Sequence, residues 1–357
     1  MRQSIRANVY ISYRAGGSMS VVIGWDIGGV HLKAARAEDG RVTKAAQYAS
    51  PLRSGTERLL QAFAEARRDM GRADCHVVTM TGELADTFSS RMEGVEQLAK
   101  LAARELGSTL IYAGPAGCVR PEDAQKHYAD VASANWHACA TLIARKCDHA
   151  LLIDVGSTTT DIVPIFEGKT IARGYTDAQR LAAGELVYTG IIRGFVMATA
   201  DRAPFRGAWT PLVNENFATM ADVHRILGTL PPDVDLMATA DGRQKTIDAS
   251  RARLARMLGT DASDAGDETW TLVARWFAEA QTRAICDAAS LVLSTGAVPS
   301  FTTIVAAGIG RPLVEEIARR LGCACIGFDE LCEVVPEARA AACHCAPAVS
   351  LAVLSSS

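Results

Sequence analysis

The chain has 357 residues, is 49% hydrophobic and 22% charged, and carries a formal net charge of −3. That composition excludes a disordered chain, and the lack of a global basic field argues against nucleic acid or an acidic membrane surface as the main partner. No run reaches the roughly eighteen apolar residues a bilayer span needs, and the length suits two domains better than one.

Residues 1–20 hold Arg2 and Arg6 but no continuous apolar run, so they read as an extension without a secretory signal, with Met19 opening the folded part. "VVIGWDIGGVHLKAARAEDG" (21–40) then begins as a buried strand and delivers Asp26 to its end. Gly28 and Gly29 make the turn, and an alternating second strand carries His31 and Lys33 on one face before closing at Asp39-Gly40. "CHVVTM" (75–80) reads as a further strand leading into "TGELADTF", where Glu83 is a candidate base or metal-water ligand. The competing reading is an acid favoured by a helix N-terminus. "SANWHACATLIARK" (133–146) reads as a helix.

"ALLIDVGSTTTDIVPIFEGK" (150–169) repeats the plan of the first hairpin, with Asp154 matching Asp26, Gly156 matching Gly28, Ser157 matching Gly29 and Asp161 matching Lys33. Glycine lets the backbone approach a ligand, and successive N–H groups in such a turn converge on an anion. The hydroxyls of Ser157, Thr158 and Thr159 add donors that do not repel phosphate. A strand-end carboxylate would repel it, so Asp26 and Asp154 point to a shared, largely hydrated Mg²⁺ as the metal between acid and phosphate. Asp161 could orient a metal-bound water or act as a base.

Gly184-Glu185 echoes Gly82-Glu83 at a spacing that does not fit the repeat, and is read as chance. Arg251, Arg253 and Arg256 lie on a predicted helix as a solvated face, with an alternative role, shared with Arg193, in holding a carboxylate. "GTDASDAGDET" (259–269) reads as a surface loop. "TTIVAAGIGRPLVEEIARRLG" (302–322) is a strand, Gly308-x-Gly310 and a helix; Leu313 stands where a dinucleotide fingerprint would need glycine. The ten cysteines read as free thiols of a reducing cytoplasm. Cys323-x-Cys325, Cys332 and Cys343-His344-Cys345 lack zinc-knuckle spacing, and "RLGCACIGF" reads as a buried strand in which Cys packs.

Two strand–Asp-x-Gly hairpins and a late Gly-x-Gly joint resemble the actin-like ATPase superfamily. The hairpins look like its phosphate loops, and Gly308–Gly310 looks like its adenosine loop. "GWDIGGVHLKAA", "TGELADTFSSRMEGV", "SANWHA", "LLIDVGSTTTDIVPI", "GELVYTGIIRG", "FATMADVHRILG" and "SRARLARMLG" resemble a narrower family near the hydantoinases and oxoprolinases, linked to tetrahydromethanopterin-dependent one-carbon metabolism. The likeness runs from about Val21 to Leu354.

The resemblance implies an α/β fold of two duplicated actin-like, ribonuclease H-like domains with an active-site cleft between them. The first is expected over 21–132 and the second over 133–345, with an insertion around 177–270 and a C-terminal helix or tail over 346–357. Archaeal members resemble a (furan-2-yl)methanamine synthase of methanofuran biosynthesis. It joins an aminomethylfuran-methyl diphosphate to the phenol oxygen of γ-glutamyltyramine and releases pyrophosphate. A bacterial chain would imply methylofuran. The diphosphate would lie against Gly28, Gly29, His31, Lys33, Gly156, Ser157, Thr158, Thr159, Gly308 and Gly310.

The expected partners are small-molecule diphosphate and phenolic amine substrates, with homodimer formation left open. The alternative is an ATP-dependent kinase or hydantoinase-type ATPase on the same loops. Val30 stands where such enzymes commonly carry Thr, which counts against ordinary ATP handling at the first loop.

Overall fold

The computed structural model describes residues 20–299 and 302–356; the expected extension and its Met19 boundary fall outside them, in part or whole. The chain divides into two compact units. The first runs through Asp148 and takes back Glu167–Thr170 and Phe328–Ser357; the second holds His149–Phe166 and Ile171–Gly327.

The first unit opens with the hairpin β1 (Val21–Ile27) and β2 (His31–Glu38), followed by β3 (Arg41–Ala49). Apolar β1 is buried along its length because it lies inside the sheet, flanked by β2 and β4 (Cys75–Met80). The helix α1 (Glu57–Met70) connects β3 to β4, and α2 (Arg91–Leu106) leads on to β5 (Thr109–Tyr112) and β6 (Cys118–Val119). Sheet order is β3-β2-β1-β4-β5-β6. The short α3 (Tyr128–Val131) and α4 (Asn135–Ala144) complete this stretch.

The second unit repeats the layout with β7 (His149–Val155) and β8 (Thr160–Phe166). After β9 (Lys169–Thr170), which belongs to the first unit, come α5 (Asp177–Ala183) and β10 (Leu186–Val187). An inserted stretch follows: α6 (Val196–Thr199), the hairpin β11 (Arg202–Phe205) and β12 (Ala208–Pro211), α7 (Met220–Leu227) and α8 (Ile247–Met257). The long α9 (Asp267–Leu293) returns the chain to β13 (Ile304–Ala307), α10 (Arg311–Leu321) and β14 (Cys325–Gly327). The sheet runs β10-β8-β7-β13-β14. The run β8-β7-β13-β14 therefore matches β2-β1-β4-β5: an antiparallel hairpin whose first strand pairs in parallel with the next crossover strand.

The unit boundary differs from the expected 132/133. Helix α4 packs in the first unit, and the chain first passes to the second at 148/149. The C-terminal segment also returns, through α11 (Arg339–His344) and α12 (Ala346–Ser356). The expected C-terminal helix is α12, and it is buried against β1, β2 and α4. A helix that is apolar all round must be covered on every side. Gly24 of β1 lets it in: a Cβ there would lie 1.9 Å from the Ala348 carbonyl oxygen. Among the described residues no single helix is long and apolar enough to cross a membrane.

Two further expectations need correction. Cys323 and Cys325 are only partly buried, because β14 is a three-residue strand at the sheet edge rather than an interior one. Arg253 of α8 is fully buried instead of solvated, joining Asp222 at 2.7 Å and Asp241 at 3.1 Å. Helical spacing put it beside the partly exposed Arg251 and Arg256, but the loop carrying Asp241 and Gln244 covers it.

Candidate active site

Both hairpin turns close with the same bond. Gly28 N–H donates to the His31 carbonyl at 2.9 Å, and Gly156 N–H donates to the Thr159 carbonyl at 2.9 Å. Each turn is then braced by a later loop. In the second unit Ile191 N–H bonds the Gly156 carbonyl at 3.0 Å, while Ile192 and Arg193 N–H bond the Ser157 carbonyl at 3.1 and 2.8 Å. No described peptide is cis, and in a trans peptide the C=O of one residue and the N–H of the next point in opposite directions. The Ser157 and Thr158 N–H groups consequently face away from the brace, on one side of the turn. Two consecutive N–H donors are thereby left on the side of the turn opposite the brace.

The brace can come this close only because residue 190 is glycine. A Cβ on Gly190 would sit 2.6 Å from both the Ser157 carbonyl carbon and the Thr158 nitrogen. Thr160 Oγ1 adds a 2.8 Å bond to the Thr189 carbonyl, so this fourth hydroxyl is structural. In the first unit the brace is residues 50–52, whose Ser50 and Leu52 N–H groups hold the Val30 and Gly29 carbonyls at 2.9 and 3.1 Å. That hold falls one position later, so the two turns are related but not superposable copies. Gly29 meets open space on the side a Cβ would occupy.

Charge is arranged differently in the two units. Asp26 lies opposite Lys33 in the β1–β2 register, 3.5 Å from its ammonium. Asp154 lies opposite another acid, Asp161. Like charges at opposed positions repel, and the compensating cation is Arg180 of α5, whose Nη1 is 2.7 Å from Asp161 Oδ1. Arg180 is 1% exposed and also donates to the Glu185 carbonyl at 2.8 Å. The sequence reading passed over it, although two facing acids in one hairpin register demand a counter-charge. Asp161 is thus an ion-pair partner, a role that competes with action as a base.

Gly308 follows β13, which pairs beside Asp154. Its φ is +82°, and a Cβ there would lie 2.3 Å from Asp154 Oδ1 and 2.2 Å from the Val155 carbonyl oxygen. Gly310 N–H bonds that same carbonyl at 2.9 Å. Both glycines are buried: Gly308 makes room for the second hairpin's carboxylate, and Gly310 for the side chains of Val155 and Ile191. Thr81 does the matching job in the first unit, donating its N–H to the Ile27 carbonyl at 2.9 Å.

The hydantoinase/oxoprolinase family profile matches residues 74–348. The chain belongs to the hydantoinase/oxoprolinase family. A Methanocaldococcus jannaschii relative is 32% identical over 70% of this chain and 74% of its own length. It is a synthase of a (furan-2-yl)methanamine bearing a (gamma-L-glutamylamino)ethyl-phenoxymethyl group. The Methanococcus vannielii protein of the same name is 29% identical, over 39% of this chain and 63% of its own length. Likeness to a named synthase supports an enzymatic role. An acetone carboxylase, nucleotide-free, aligns with 93% of this chain and 70% of its own at a TM-score of 0.57 and 11% identity, a likeness in fold alone. What the two share is an α/β fold, here two units each built on a mixed sheet.

Elsewhere in this hydantoinase/oxoprolinase family member, the predicted residues fare unequally. Glu83 sits in a short 3-10 turn, is 1% exposed, and accepts from Ser133 Oγ at 3.0 Å and Arg91 Nη2 at 3.3 Å. It lies in the first turn of that short 3-10 helix, buried and bonded to Ser133 and Arg91. His31 is buried, whereas Lys33 is partly exposed. His344 of α11 entered the sequence reading only as part of the cysteine cluster; burial and the Lys33 ammonium hold it below its ordinary pKa. Glu185 accepts from Arg173 and Gly174 N–H at 2.6 and 3.0 Å, a local structural task. His137 bonds the Tyr112 hydroxyl at 2.7 Å, and Trp136 is buried.

Among the described residues no three His, Cys, Asp or Glu side chains form a metal cage. Within the second unit, the carboxylate of Asp154 at the strand end before a hydroxyl-bearing turn is a donor set that fits Mg²⁺, which keeps most of its waters and takes one or two carboxylates together with phosphate oxygens.

Proposed function

We propose that the chain is a transferase joining an aminomethylfuran-methyl diphosphate to the phenol oxygen of a γ-glutamyltyramine-type acceptor, with release of pyrophosphate, in methylofuran or methanofuran biosynthesis. The observation that carries this is the 32% identity over 70% of the chain to a synthase whose product name contains that aryl ether on a furanmethanamine. In the reaction the bond between the furanyl methylene and the diphosphate oxygen breaks, and the leaving pyrophosphate keeps the electron pair. The furan ring delocalises the positive charge left on the methylene. The phenol oxygen then forms the ether bond and gives up its proton.

The chain's own residues serve the leaving group. In the second unit, Ser157 and Thr158 N–H groups and the hydroxyls of Ser157, Thr158 and Thr159 are the donors offered to a diphosphate; Lys33 is the charge that the first hairpin carries. In the second unit Asp154 is the carboxylate that would hold Mg²⁺ or its waters, and Asp26 is its counterpart in the first unit; when bound, the ion would supply further neutralisation of the diphosphate. Phenol has an ordinary pKa near 10, so proton loss needs only modest base assistance. Neither Asp161, tied to Arg180, nor Glu83, tied to Ser133 and Arg91, is assigned as that base.

The test is incubation of purified protein and Mg²⁺ with the furanmethyl diphosphate and tyramine derivatives, and separately with ATP. Pyrophosphate together with an ether product is expected. Phosphate released from ATP, with no ether formed, would overturn this reading in favour of an ATP-dependent enzyme.

A further inference from the structure

The brace that aims the second turn is itself held by a buried relay. Gln281, in the middle of α9 and fully buried, donates from Nε2 to Thr189 Oγ1 at 2.9 Å and to the Gly190 carbonyl at 3.0 Å. A carbonyl can only accept, so the amide nitrogen must face Gly190. Gln281 Oε1 then accepts from His224 Nε2 of α7 at 2.8 Å, and His224 Nδ1 meets the Thr229 hydroxyl at 2.8 Å. This assigns the His224 ring proton to Nε2, and burial holds the imidazole below its ordinary pKa. Both ends of one side-chain amide are used, and its donor end fixes the residue that lies against Ser157 and Thr158. Gly190 cannot shift without drawing the Ile191, Ile192 and Arg193 N–H groups off the turn's carbonyls.

We propose that Gln281, backed by His224, is a positioning residue for anion capture at the second hairpin, setting the direction of the Ser157 and Thr158 N–H groups. This rests on the reading of that hairpin as a diphosphate site. The ligand chemistry is a magnesium-bound diphosphate, whether from a furanmethyl substrate, released pyrophosphate or a nucleotide.

Gln281→Glu keeps the shape and the acceptor for His224 but sets an oxygen against the Gly190 carbonyl. Gln281→Met removes the polar atoms. Titration calorimetry with magnesium pyrophosphate and with magnesium ATP reads the effect, alongside thermal melting and amide exchange over 190–193. In a folded variant the affinity of whichever anion the wild type binds is expected to fall about 10-fold. Faster exchange over 190–193 and a raised KM for the diphosphate with a smaller change in kcat are expected with it. If the wild type binds neither anion, the diphosphate reading and this proposal fall together. If the wild type binds one and a folded variant binds it equally well, the proposal alone falls. It falls too if neither variant folds, since the amide would then only hold the fold together.

Discussion

Gly308 and Arg180 show how much of the second hairpin is shaped by residues outside it. Gly308 combines a left-handed φ with a missing Cβ that would otherwise strike Asp154 and Val155. Gly308→Ala is expected to cost about 3 kcal/mol and abolish turnover, because the Asp154 carboxylate must move; denaturant melts and activity together check this. Arg180 makes the opposite case. Removing it strands Asp161, so Arg180→Ala should destabilise by about 3–5 kcal/mol. The double variant Arg180→Met with Asp161→Leu should recover most of that in the same melts, since a packed apolar pair replaces a buried ion pair at little cost. Asp154→Ala is expected to abolish turnover with an unchanged far-UV circular dichroism spectrum. Retained activity would remove the metal role from this residue.

At the scale of elements, the informative one is α12. Its composition carries no amphipathic stripe, so the sequence alone says that it is buried but not against what. The structure answers with β1 and β2, where Gly24 admits the Ala348 and Ala352 backbone. Gly24→Ala is expected to lift α12 and cost about 3 kcal/mol, with proteolytic nicking appearing over 346–356; an unchanged melt with no nicking would show that the contact can be given up. The hairpins β1–β2 and β7–β8 were legible because Asp-x-Gly after an apolar run, closed by Asp-Gly or Glu-Gly, is local turn chemistry. Asp39 and Glu167 do take positive φ at those closing turns. Their braces were not legible, because residues 50–52 and 190–193 act through main-chain bonds that leave almost no mark on side-chain pattern.

For the whole molecule, acid stability follows from two buried histidines of the first unit. Desolvation lowers His76 and His137 to about 4. Trp25 Nε1 donates to His76 Nδ1 at 3.1 Å, leaving that nitrogen no room for a proton. A histidine whose folded pKa lies below its ordinary 6.5 binds protons more readily when unfolded. Stability is therefore full above about pH 6.5 and is lost as pH falls towards 4, by about 2 kcal/mol per residue at pH 5. Urea melts at pH 7 and pH 5 should show this, and His76→Gln should remove its share of the slope while still accepting from Trp25.

The duplication, the strand-end aspartates, the hydroxyl-rich second turn and the family likeness all follow from residues close together in sequence, because strands and turns are written in local pattern. Contacts between distant segments were decided only on folding. Arg180 beside Asp161, Arg253 beneath Asp241, Gln281 behind Gly190 and the return of α12 to the first sheet each join segments whose proximity no period or spacing encodes. The physical reason is the same for all four. Burial compels a charge, an amide or an apolar face to find its complement, and only the packed chain determines which complement lies within reach.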